Sequence, residues 1–265
     1  MTTHKPQKRF GQHFLSDQRT LDRIVELISA KPSDIIVEVG PGEGVLTLPL
    51  AKSGAKIVAV EFDRKLIRPL TSKLSAYSSV SVLEQDFLEF IPDDSLGRFT
   101  LVGNIPYNIT SPIIDWCTKY QGRLRRVVLM MQKEMAQRTC GRPGSKDWAP
   151  ISIVTQIAFD VALEFEVPPT AFTPPPKVHS AVMSMTPRGT RPAVDMVKFD
   201  RVVRAAFEHR RKLLVNNLVP AVVSTATSHA EYLRKIGARD DCRAEQLSIE
   251  QFVHLTELLI SDRKL

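Results

Sequence analysis

The sequence predicts an α/β doubly wound domain followed by a small helical domain. From residue 35 to about residue 131, short β-branched runs alternate with helical stretches, the pattern of a parallel sheet covered on both faces. Beyond Pro187-Arg188-Gly189-Thr190-Arg191-Pro192, a segment of linker composition, the periodicity turns helical. The expected boundaries are 1–187 for the sheet domain and 188–265 for the helical one.

In chain order, residues 35–39 read as a buried strand, followed by a glycine loop and a helix over 45–52. Residues 56–61 form a second strand, and 64–76 a helix with Leu66, Ile67, Leu70 and Leu74 apolar. Strands follow at 80–83 and 99–103, then a helix from about residue 111 and a strand at 127–131. Later strands are expected at 161–167 and 178–185. Between them, five prolines fall within 168–176, which excludes helix and central strand there. The helical periodicity resumes at 199–207, 213–219, 230–236 and 249–260.

The chain has 265 residues, 36 Lys+Arg against 29 Asp+Glu, a net charge of +7 and a pI near 9.4. No apolar run approaches the roughly 18 residues of a membrane helix, and none follows the basic N-terminus as in a secretory signal. Cys117, Cys140 and Cys242 are scattered, with neither metal spacing nor a disulfide framework. These features point to a reduced, cytoplasmic protein, and the absence of heptads to a monomer. The charge is uneven. Residues 119–146 hold eight Lys/Arg against Glu134 alone, a surplus equal to that of the whole chain. A second cluster is Arg210-Arg211-Lys212. Either could be a solvated face; together they favour a polyanionic partner such as nucleic acid.

Glu38-Val39-Gly40-Pro41-Gly42-Glu43-Gly44 follows the first strand and opens a helix, so a ligand can approach the backbone there. The dinucleotide fingerprint wants a further glycine where Val45 stands, which favours S-adenosylmethionine over NAD. Glu61 ends the second strand, where a carboxylate accepts from both ribose hydroxyls. Asp86, after the third, can accept from an adenine amine with Phe87 and Leu88 flanking the ring; the competing reading is a helix cap. The fourth strand ends in Asn104-Ile105-Pro106-Tyr107. Two acceptors, the Asn104 side-chain oxygen and the Ile105 carbonyl, can hold both N–H groups of an adenine amine and localise its lone pair for methylation. Pro106 stiffens the turn. Tyr107 offers a face to an extruded base, and Phe172 could close its other side or be a core residue.

At these residues the chain closely resembles the ribosomal RNA adenine dimethyltransferases of the KsgA/RsmA type. The matching segments are Gly11-Gln12-His13-Phe14-Leu15, 38–44, Glu61, Asp86-Phe87, 104–107, Met131-Gln132-Lys133-Glu134, Arg142-Pro143-Gly144-Ser145-Lys146, 172–178 and Arg210-Arg211-Lys212. The resemblance implies a Rossmann-like class I methyltransferase domain with a helical RNA-binding C-terminal domain. It implies S-adenosylmethionine as donor, and as acceptors two adjacent adenosines near the 3′ end of small-subunit (16S) ribosomal RNA, each dimethylated at N6 during subunit biogenesis. Cofactor contacts would come from His13, Leu15, Gly40, Glu61, Asp86 and Asn104. The partner would be the RNA or an assembling small subunit, faced by Arg123, Arg125, Arg126, Arg142, Lys146 and the Arg210-Arg211-Lys212 helix. The chain departs from the family pattern at His13, where many members have asparagine, and at Trp148-Ala149-Pro150. The alternatives are a large-subunit RNA adenine methyltransferase of the antibiotic-resistance type and a non-catalytic RNA-binding assembly factor.

Overall fold

The computed structural model describes residues 13–221, 226–262 and 264–265; the motif residues Gly11 and Gln12 lie outside them. In chain order the elements are β1 (Phe14–Leu15), α1 (Gln18–Ile28), β2 (Ile35–Val39), α2 (Thr47–Ala51), β3 (Lys56–Glu61), α3 (Arg64–Leu74), β4 (Val80–Glu84) and β5 (Phe99–Asn104). Then come α4 (Thr110–Lys119), β6 (Leu124–Gln132), α5 (Lys133–Thr139), α6 (Pro150–Gln156), β7 (Phe159–Val167), β8 (Phe172–Thr173) and β9 (Ser180–Pro187). Helices α7 (Met196–Phe207), α8 (Leu214–Ala221), α9 (Ala226–Lys235) and α10 (Ile249–Ser261) complete the chain.

Seven strands form one sheet in the order β4-β3-β2-β5-β6-β9-β7. The five from β4 to β6 are mutually parallel, but β9 lies antiparallel to β6. The sheet is therefore mixed, where the alternating pattern predicts a parallel one. Strand β9 emerges from the proline segment rather than from a crossover helix, which a parallel neighbour requires. The central strands are rich in β-branched residues because helices cover both faces: Ile36, Val37, Ile57, Leu101, Val102, Val127 and Leu129 are all fully buried.

The strand order fixes where a ligand can bind. The chain steps outward from β2 through β3 to β4, then returns to place β5 on the other side of β2. The loops leaving β2 and β5 consequently diverge and open a crevice at the carboxyl edge. Val39 and Gly103, the registered pair at that edge, lead directly into Gly40 and Asn104. Gly103 is required there by close approach: a Cβ would meet the Val39 carbonyl oxygen at 2.8 Å and the Val39 Cβ at 3.1 Å.

Two compact units divide the chain: Met1–Ala136 with Asp160–Pro187, and Gln137–Phe159 with Arg188–Leu265. The break after Pro187 falls in the expected linker. Residues 137–159, expected with the sheet, group instead with the C-terminal helices, and hydrogen bonds within the second unit explain why. The buried Trp148 donates its indole N–H to the Leu247 carbonyl (3.0 Å), and the Gly144 N–H donates to the Glu245 carbonyl (2.7 Å). The Ser152 side chain accepts from the Ala149 N–H (3.0 Å), capping α6 at Pro150. The helices of this unit pack around Phe199, Leu214, Leu218, Leu233, Phe252 and Leu255.

Candidate active site

The carboxyl edge of the first unit encloses a cavity of ≈ 270 Å³. The expected cofactor residues His13, Leu15, Gly40, Glu61 and Asp86 all line it. So do the four residues of the β5 turn, Asn104, Ile105, Pro106 and Tyr107. Strand ends from β2, β3 and β5 contribute together, which the expected strand boundaries anticipate.

Gly40 takes φ +60, with nothing within 4 Å of the position a Cβ would occupy, and its N–H donates to the Val60 carbonyl (2.9 Å). The left-handed turn thus leaves open space above the loop for a ligand. Gly42, at φ +59, is needed because a Cβ would meet the Phe14 ring at 2.9 Å. Glu61 is buried at the end of β3. Its Oε2 accepts from the Gly42 N–H (3.0 Å) and its Oε1 from the Asp63 N–H (2.8 Å). Burial pushes its carboxyl above the ordinary value, and these backbone donors oppose the shift. The Phe62 N–H is a third backbone donor to this carboxylate, and with about four acceptor sites in all Glu61 keeps capacity for a ligand hydroxyl.

Glu38 lies behind the glycine loop, 2 % exposed, with Oε2 lacking a hydrogen-bond partner; the Thr47 hydroxyl stands near it without completing a hydrogen bond. Burial pushes its carboxyl up to about 7, and the negative Glu61 adds to the shift. A buried acceptor facing a cavity fits a ligand that brings donors or positive charge, and S-adenosylmethionine carries both. The open Gly40 turn, the Glu61 carboxylate and the apolar floor of Val128, Met130 and Val182 fit the remainder of a nucleoside ligand.

At Asp86 the helix-cap reading is met: its Oδ1 accepts from the Leu88 N–H (2.9 Å), capping a short 3-10 turn, and the residue also lies at the cavity. Phe87 lines the cavity too, although buried against Trp116 with ring centroids 4.7 Å apart. Leu88 does not line it; Phe62, 58 % exposed, does. The signal for Phe62 was its position directly after Glu61.

The turn after β5 is held from three sides. The Ile105 N–H donates to the Met130 carbonyl (3.0 Å), Asn104 Nδ2 donates to the His13 carbonyl (2.9 Å), and the Tyr107 hydroxyl bonds Ser180 Oγ (2.8 Å). With Nδ2 so engaged, the Asn104 oxygen is the end left for a ligand. Burial raises the Tyr107 phenol above its ordinary value, so it stays neutral and serves as a surface rather than a base.

The expected place of Phe172 beside the base is corrected. Phe172 does not line the cavity: it is 3 % exposed, pairs with Leu15 across β1 and β8, and belongs to the hydrophobic core. Arg123 precedes β6, and Arg125 and Arg126 lie among its first residues, at the sheet edge opposite the cavity; all three have partners within the first unit, and Arg125 stays exposed. Arg123 donates to the carbonyls of Pro92 (3.3 Å), Asp93 (2.6 Å) and Gly97 (3.2 Å) and pairs with Asp94 (2.9 Å). Arg125 pairs with Asp34 (2.5 Å), and Arg126 donates to the Leu27 carbonyl (2.6 Å). In the second unit, Arg142, Lys146, Arg211 and Lys212 are exposed, and Arg210-Arg211-Lys212 lie in the turn between α7 and α8 rather than on the expected helix. Arg210 is used to join the two basic segments, bonding the Lys146 carbonyl and pairing with Glu245 (3.2 Å).

Residues 3–261 match the family model described as "Ribosomal RNA adenine dimethylase". The chain is 39% identical over 254 residues to ribosomal RNA small subunit methyltransferase A of Xylella fastidiosa, covering 94% of both proteins. It is equally similar to the protein of that name from Pseudomonas fluorescens, covering 98% of this chain and 96% of that one. A dimethyladenosine transferase from Plasmodium falciparum shares the fold, with TM-score 0.82 and 24% identity over 95% of this chain and 98% of that chain. The 23S rRNA methyltransferase ErmE is similar with TM-score 0.73 and 28% identity, covering 93% of this chain and 99% of that one.

Proposed function

Because the chain belongs to the ribosomal RNA adenine dimethylase family, we propose that it transfers methyl groups from S-adenosylmethionine to N6 of two adjacent adenosines near the 3′ end of small-subunit ribosomal RNA. The products are N6,N6-dimethyladenosines. The observation that carries this reading is the Asn104-Ile105-Pro106-Tyr107 turn at the mouth of the switch-point cavity.

When bound, the cofactor supplies an electrophilic methyl group on a positively charged sulfur. Glu61 would hold its ribose hydroxyls and Asp86 its adenine amine, with the His13 backbone, Leu15, Gly40 and Asn104 completing the contacts. The Asn104 oxygen and the Ile105 carbonyl would accept the two N–H groups of the target amine. That arrangement localises the nitrogen lone pair and costs no reorganisation, because both acceptors are held in advance. Pro106 keeps the turn stiff, and Tyr107 would receive the extruded base on its face. No strong base is needed, since the proton lost after transfer can pass to water. Arg142, Lys146, Arg211 and Lys212 would contact RNA phosphates, which position the substrate without reading its sequence. We read the protein as a monomer acting in the cytoplasm; among the described residues no helix is long and apolar enough to cross a membrane.

The similarity to ErmE keeps large-subunit RNA as the second reading, but 28% identity there against 39% to the small-subunit enzymes favours the first. Supplying labelled S-adenosylmethionine with unmodified small and large subunits in parallel separates them. Label in two adjacent adenosines of the small-subunit RNA is expected. Label only in large-subunit RNA would replace the substrate assignment, and label in neither would remove the enzymatic reading.

A further inference from the structure

His13 touches three parts of the site at once. Its Nδ1 lies 2.7 Å from the Pro174 carbonyl oxygen, and since a carbonyl only accepts, Nδ1 carries the proton in this contact. Its own carbonyl receives the Asn104 Nδ2–H at 2.9 Å. Its ring stacks with that of Tyr107, with centroids 6.1 Å apart and planes at 26°. Strands β1 and β8 pair Phe14 with Thr173 and Leu15 with Phe172, so the His13–Pro174 bond extends this ladder by one side-chain rung.

The two ends of an asparagine amide are nearly the same size and differ in that one donates and the other accepts. Flipped by 180°, Asn104 would present N–H groups to an amine that must itself donate, and one of the two acceptors of the target would be lost. The His13 carbonyl forbids the flip, because only Nδ2 can satisfy it. We propose that His13 is a positioning residue for methyl transfer: its link to Pro174 holds its carbonyl against Asn104 and its ring against Tyr107. This inference rests on the proposed function and gives the His13 side chain a role separate from cofactor contact. It also identifies the property that matters, a donor one bond beyond Cγ. Histidine Nδ1 and asparagine Nδ2 both meet that requirement, and alanine does not.

The test compares wild-type protein with His13→Ala and His13→Asn. Turnover is followed on unmethylated small subunits, S-adenosylmethionine binding by calorimetry, and the Asn104 side-chain amide by nitrogen-edited NMR. His13→Ala is expected to lower kcat at least about tenfold, as small misplacements of reacting groups do, while cofactor Kd changes less than about threefold. The Asn104 amide signals should shift or broaden in the same variant. His13→Asn should restore most of the rate and the wild-type amide signals. Three results would overturn the inference: unchanged kcat in His13→Ala, cofactor affinity falling in proportion to rate, or His13→Asn as slow as the alanine variant. Inactive wild-type protein would instead contradict the proposed function, and the amide signals would still decide whether His13 orients Asn104.

Discussion

Glu38 is a carboxylic acid inside a strand of β-branched residues, and burial raises it from an ordinary 4.5 to about 7. Below pH 4.5 native and unfolded chains both hold this proton. As pH rises toward 7 the unfolded chain releases it while the native chain retains it, so native stability falls by up to about 3 kcal/mol and then levels off. Glu38→Gln removes the titration but keeps the shape. Thermal unfolding of the cofactor-free protein should therefore show the variant gaining on wild type by about 5–10 °C between pH 5 and pH 8. A pH-independent difference would contradict the assignment. Glu61 and Asn104 were legible from sequence because each closes a strand whose end is visible in the apolar pattern. Phe172 was not, because its side depends on the two-residue β1–β8 pairing, which has too few residues for a period to register. The placement of Arg123, Arg125 and Arg126 was not legible either, because charge counting carries no direction: they lie about the start of β6, whereas the cavity lies at the strand ends.

The central strands follow their sequence closely, since fully buried β-branched runs bounded by glycine or acidic residues leave few alternatives. The expectation omits α1, although Leu21, Ile24 and Ile28 give it an apolar face and the Asp17 side chain caps it by accepting from the Thr20 N–H (2.8 Å). Helices α5 and α6, seven residues each, were omitted because they are too short for a helical period to stand out. The antiparallel entry of β9 depends on a connection whose path no local pattern encodes. Strands β2 and β5 approach each other closely. Gly103→Ala would push a methyl group into the Val39 carbonyl and separate the strands that present Gly40 and Asn104. A loss of about 1–3 kcal/mol is expected by urea unfolding, as overpacking typically costs, with weaker cofactor binding. Unchanged stability would show that the strand pair yields more easily than its geometry implies.

At the scale of the whole molecule, the net charge of +7 is not one uniform field. Arg123 and Arg126 bond carbonyls at the amino edge of the sheet, while Arg142, Lys146, Arg211 and Lys212 stay exposed in the second unit. Replacing Arg211 and Lys212 by alanine should raise KM for the small subunit and reduce the salt slope of binding by about one per lost phosphate contact. S-adenosylmethionine affinity should not change, and an unaltered salt slope would remove these residues from the RNA surface. The central claim joins cofactor, acceptor and mechanism through the Asn104 turn. Its most direct measurement is the yield of N6,N6-dimethyladenosine from digested small-subunit RNA, with wild type and Asn104→Ala assayed side by side and cofactor binding checked by calorimetry. The account predicts dimethyladenosine from wild type at two adjacent sites, and a rate at least about 100-fold lower from a folded, cofactor-binding variant, the scale set by losing one prearranged polar group. Transfer by Asn104→Ala at the wild-type rate would contradict it.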